Sequence, residues 1–186
     1  MTILDELADY ARVRTAEAKK KRSLEEVKKA ALALPKGDYR FETALKKPGI
    51  SFICECKKAS PSKGLIAPEF PYLEIAKAYE AAGADCISVL TEPRWFLGSE
   101  RYLQEIAEAV EIPCLRKDFT VNTDNSKKLR EMIPPEVIFV SESGVKGSED
   151  VAALCEIGAD AVLVGETLMR AEDKTKMLAK LRGGQI

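Results

Sequence analysis

Glu55 and Lys57 lie two residues apart in the run SFICECKKASPS, where an apolar stretch gives way to lysine, serine and proline. If that stretch is a strand, alternation puts both side chains on one face at the end where the chain leaves the sheet, able to pair or to hold a charged ligand together. Arg116-Lys117-Asp118-Phe119 closes another apolar stretch in the same way. A lysine there can act as a general acid once desolvation or a neighbouring cation lowers its pKa. Two further stretches end in Ser141-Glu142-Ser143-Gly144 and in Gly165-Glu166-Thr167. Glycines at such ends, each ahead of a helical period, let main-chain N–H groups approach an anion closely. Each signal also has an ordinary reading: a solvated strand end for the lysines, a plain turn for the glycines. Histidine is absent, so acid–base work falls to lysine and carboxylates, and the commonest transition-metal ligand is lacking.

Residues spread over so much sequence need a scaffold that gathers strand ends. Apolar runs at 52–56, 86–90, 114–115, 137–140 and 161–164 read as five strands, too continuously apolar to have a wet face. Helical periods near 72–82, 100–110, 126–132, 149–157 and 174–181 separate them or follow the last, the alternation that makes a parallel sheet. Ahead of them, an amphipathic stretch from about residue 3 to 21 precedes a capping box at Ser23 and Glu26, and Pro35 with Gly37 ends the second helix. The chain therefore reads as a single α/β domain, 1–186, with a helical extension at 1–48 and a parallel βα core at 49–186.

Composition narrows the partners. A net charge of −1 without a lysine-rich block argues against nucleic acid. The absence of a long apolar stretch or a leader pattern argues against a membrane and makes the cytoplasm the expected place. Cys54, Cys56, Cys86, Cys114 and Cys155 sit in or beside apolar runs without metal-site spacing, as reduced, buried cysteines do. A small anion such as a phosphorylated metabolite, inorganic phosphate or sulfate needs only a local positive site.

Taken in order, ECKKASPS, LTEPRWFLGS, LRKDF, SESGVK and AVLVGETLM resemble the active-site strand ends of indole-3-glycerol phosphate synthase, the tryptophan-pathway lyase that closes the indole ring. The resemblance extends to the N-terminal helices and to FETALKKPGISF. It implies a TIM barrel that decarboxylates and dehydrates an anthranilate-bearing, phosphorylated deoxyribulose, with no cofactor and no metal. By resemblance, Lys117 falls on the family's general acid and Lys57 on the lysine that meets the substrate carboxylate. Glu55 and Glu142 fall on active-site carboxylates, and Ser143 beside the substrate. Gly144, Gly165 and Glu166 fall at the phosphate, with Ser60 in a loop near it. Trp95, Phe96 and Phe119 fall on the apolar wall around the aromatic ring, where a plain core role fits equally well.

LRKDF resembles the end of the family's third strand and VIFVSESG its seventh, so three strands have no counterpart, with a junction near residues 119–122. Among them are the strand bearing the glutamate general base and the one with an asparagine–arginine motif, which Asn122 does not replace. Five strands do not close an eight-stranded barrel. The expected outcome is a re-paired, doubly wound, flavodoxin- or Rossmann-like sheet of order 2-1-3-4-5. The alternative is an incomplete barrel closed by its own helix or by dimerisation. Either exposes edges that a second copy could pair with. Two functions follow: a weak or inactive synthase, or a non-catalytic phosphate-binding or interaction module.

Overall fold

The computed structural model describes residues 2–117, 130, 133–142 and 144–184, with Arg116 and Lys117 described by backbone alone. It divides into two compact units, Met1–Asp38 and Tyr39–Ile186. The first unit holds α1 (Ile3–Lys21) and α2 (Leu24–Leu32), each opened by a capping box, Thr2 with Asp5 and Ser23 with Glu26. Reciprocal bonds of this kind satisfy N–H groups that a helix start leaves orphaned.

The second unit begins with α3 (Arg40–Leu45) and β1 (Ser51–Cys56), followed by a small hairpin of β2 (Ala59–Ser60) and β3 (Gly64–Leu65). Then come α4 (Tyr72–Ala81), β4 (Cys86–Leu90), α5 (Glu100–Ala109) and β5 (Cys114–Lys117). After residues 118–139 the chain returns as β6 (Val140–Glu142), α6 (Ser148–Glu156), β7 (Ala161–Val164), α7 (Glu166–Arg170) and α8 (Lys174–Leu181). Helices α4 and α6 end on Gly83 and Gly158, whose φ angles of 83° and 79° favour glycine. In each case the following alanine N–H turns back to the helix, Ala84 to the Tyr79 carbonyl and Ala159 to that of Leu154.

The five main strands form one sheet, all parallel, in the order β5-β4-β1-β7-β6. This corrects the expected 2-1-3-4-5 arrangement. The first and last main strands pair side by side, and the consecutive strands β5 and β6 stand at opposite edges. That order has to carry the chain over four strand spacings of ~4.8 Å, roughly 19 Å. The expectation allowed only for a helix in that connection. Residues 118–139 extended would reach about 70 Å, so length does not force the strands to re-pair.

The sheet is not doubly wound among the described residues. Phe52, Cys54 and Cys56 of β1 join Ile87, Val89, Val162 and Val164 in a core with Ile75, Ala76 and Tyr79 of α4, Ile106 of α5, Val151 of α6, Leu168 of α7 and Leu178 and Leu181 of α8. These five helices therefore share one face. On the other face Ile53, Cys86, Ala161 and Leu163 pack with Ala44 and Leu45 of α3. Short α3 thus covers the lower part of that face, and Ile53, Ser88 and Leu90 are buried there.

Candidate functional site

Strand β1 is buried at every position, and its alternation sends Glu55 to the face opposite the main helix layer. Glu55 is only 3% exposed. Lys57, just past the strand end, brings its ammonium to 2.6 Å from the Glu55 carboxylate. The residues expected to act together are thus an ion pair at the carboxyl end of the sheet. The pair is deep on the Glu55 side, so removing Lys57 takes a charge-assisted partner from a buried carboxylate.

Gly165 explains how the pair fits. A Cβ at that position would overlap the Glu55 carboxylate and stand 3.0 Å from the Lys57 ammonium. The glycine at the end of β7 therefore admits the side chains of β1 into the seam between the two strands. This role differs from the phosphate contact that the resemblance implies for it.

The loop after β1 is organised around Ser60, whose hydroxyl accepts the Lys63 N–H at 3.2 Å. Lys63 reaches Glu166 at 3.8 Å, and the same carboxylate accepts from Arg170 at 3.0 Å. Glu166 thus ties the first loop to α7, and two cations lie where a phosphate is expected. Thr167 adds a second tie, donating from its hydroxyl to the Val145 carbonyl at 2.8 Å. Gly144, with φ of 82°, is exposed on that same loop.

Glu142 stands in β6 opposite Leu163 of β7, which in turn stands opposite Ile53 of β1. It is two strands from β1, roughly 10 Å by strand spacing, and at the level of Ile53 rather than Glu55. Lys117 occupies the last paired position of β5, opposite Leu90 of β4. Its side chain, together with Phe119 and Ser143, lies outside the described residues. Phe96 is fully buried. Its N–H and those of Arg94 and Trp95 all bond the buried Glu92 carboxylate. That loop closes at Gly98, where any Cβ would overlap the Leu90 carbonyl. Trp95 carries the Arg94 guanidinium over its ring at 4.6 Å.

Two hydroxyls escape sequence reading. Ser88 and Thr91 are 0% and 3% exposed, and neither side-chain oxygen has a hydrogen-bond partner. The available signal was the single serine inside the apolar run CISVL. Burial pushes the Cys86 thiol up to about 12 and Cys114 up to about 11, and raises Cys54 and Cys56 as well, so these four are poor nucleophiles, whereas Cys155 is exposed rather than buried as expected. Among the described residues no cluster of three or more acidic, cysteine or histidine side chains could hold a metal ion. No described helix is long and apolar enough to cross a membrane.

The family model for indole-3-glycerol phosphate synthase matches this chain in two pieces, residues 4–123 and 118–181. The indole-3-glycerol phosphate synthase of Ruminiclostridium cellulolyticum is 39% identical over 257 aligned residues, covering 97% of this chain and 99% of that protein. That of Lacticaseibacillus paracasei is 35% identical over 256, covering 97% and 98%. A solved (S)-3-O-geranylgeranylglyceryl phosphate synthase from Thermoplasma acidophilum overlaps 76% of this chain and 94% of its own at 9% identity, with a TM-score of 0.43, too slight to carry an argument. On the strength of the model match and of these relatives, the chain belongs to the indole-3-glycerol phosphate synthase family.

Proposed function

We propose that this protein takes the family's substrate, the anthranilate-bearing phosphorylated deoxyribulose of tryptophan biosynthesis, and closes its ring slowly or not at all. The observation that carries the substrate assignment is the Glu55–Lys57 pair held against Gly165 at the carboxyl end of the sheet. A lysine already paired with a carboxylate at the sheet's end can exchange that partner for the substrate carboxylate. Lys63 and Arg170 lie around Glu166 at the adjoining loop, where the sugar phosphate would compete for them.

Slow turnover is supported by length. The relatives align over 256–257 positions, whereas this chain has 186 residues. The family model is met in two pieces that join around residues 118–123, where the resemblance leaves no strand for the general base. Losing a positioned base alone reduces rate by roughly 10²–10⁴-fold. The test is turnover of the purified protein, followed by the appearance of the indole product. Activity should lie at least about 100-fold below that of a full-length relative assayed alongside. Turnover equal to the relative's, and abolished by Lys117→Ala, would reject the impaired reading and leave a fully working synthase.

A further inference from the structure

Ser88 sits in the middle of β4, fully buried, with a hydroxyl that bonds nothing. Its neighbours Ile87 and Val89 belong to the core under the helices, so alternation turns Ser88 to the opposite face. Parallel pairing places it directly opposite Glu55 of β1. Residues so paired turn their side chains the same way, one strand spacing of ~4.8 Å apart. A buried polar atom without a partner calls for an explanation, and an apolar residue would fill the position without that cost.

The Glu55 carboxylate is drawn the other way, toward Lys57 and Gly165 at the end of β7. Strand β1 lies between β7 and β4, so Glu55 has Lys57 on one side and the Ser88 hydroxyl within rotamer reach on the other. We propose that Ser88 is a positioning residue for Glu55: when Lys57 leaves to meet the substrate carboxylate, the Ser88 hydroxyl donates to the Glu55 carboxylate and keeps it in place. This rests on the substrate assignment above. It gives the idle hydroxyl a partner in the liganded state and spares Glu55 a buried charge one partner short.

The experiment titrates the protein and Ser88→Ala with the substrate whose ketone has been reduced to an alcohol, which cannot cyclise. Calorimetry reads the affinity. Ser88→Ala should bind about tenfold more weakly, because the Glu55 carboxylate loses a donor in the liganded state. Its denaturation midpoint should equal or exceed the parent's. In a Glu55→Ala background, where no acceptor remains for the hydroxyl, Ser88→Ala should leave affinity unchanged. Unaltered affinity in Ser88→Ala, or a loss that persists beside Glu55→Ala, would overturn the proposal while leaving the substrate assignment standing. A parent that fails to bind the analogue would overturn both.

Discussion

The sheet contains the same structural device twice, before β4 and before β7. In each, a left-handed glycine ends a helix and the sequence Gly-Ala-Asp leads into the strand, at residues 83–85 and 158–160. Asp85 gives its N–H to the Phe52 carbonyl at 3.0 Å and takes the Phe52 N–H on its carboxylate at 2.9 Å. Asp160 does the same with Phe139, at 2.9 Å and 2.7 Å. The surroundings differ. Asp85 also meets Lys47 at 3.3 Å and Arg182 at 3.2 Å, and Arg182 lies over the Phe52 ring at 4.6 Å while donating to the Gly83 carbonyl. Asp160 borders an open hollow of about 220 Å³ lined by Lys46, Lys47 and residues 135–138. Identical local sequence therefore builds a braced clamp beside the central strand and a plainer one beside the edge strand.

If bracing matters, the two clamps will not break alike. Asp85→Ala should show the largest effect, a loss of about 2–4 kcal/mol in denaturant unfolding, because it strands the N–H of a fully buried residue and releases two cations at once. Asp160→Ala should cost less, about 1–2 kcal/mol, since Phe139 is nearer solvent. Equal losses would remove the distinction. Arg182→Met should cost about 1 kcal/mol, reflecting a partly exposed pair and one ring contact. Combined with Asp85→Ala it should add less than its own effect, which a double-mutant cycle reads directly.

The smallest effect belongs to the second unit's α6. The N–H groups of Lys146 and Gly147 hold the Asp150 carboxyl below its ordinary range. A carboxyl lowered by folding contributes stability above its unfolded pKa and loses it as pH falls through the folded value. Asp150→Asn should therefore be less stable than the parent at neutral pH, and the gap should close in acid. A gap that widens toward low pH would contradict this.

Much of the fold could be read in advance because it is local. Alternation along FICECK put Glu55 beside Lys57, and the helices at 3–21 and 174–181 carry their own capping and periodic signals. What could not be read depends on partners distant in sequence. Nothing in the periodicity of 161–164 says that β7 pairs with β1, so the strand order was expected wrongly. The run 137–140 looks like a strand, yet the Val137 N–H folds back to the Pro134 carbonyl and pairing starts only at Val140, continuing into polar Ser141 and Glu142. Helix α3 is six residues long and starts on Tyr39 in a left-handed conformation without a side-chain cap, so it carries no helical signature. At the site, the role of Gly165 was hidden because it depends on side chains from another strand.

The pairing of β1 with β7 has one more consequence. Covalent continuity and hydrogen-bonded continuity are interrupted at different places: the chain runs on from β5 to β6 where the sheet stops, and the sheet runs on from β7 to β1 where the chain does not. Lys47, shortly before β1, and Arg182, just after α8, both touch Asp85, so a peptide joining the end of α8 to the start of α3 would close the loop with α3 kept on the sheet. A circular permutant cut within 118–139 would then list its strands in the order in which they lie, β6, β7, β1, β4, β5, with every main strand adjacent to its successor and a lower contact order for folding to overcome.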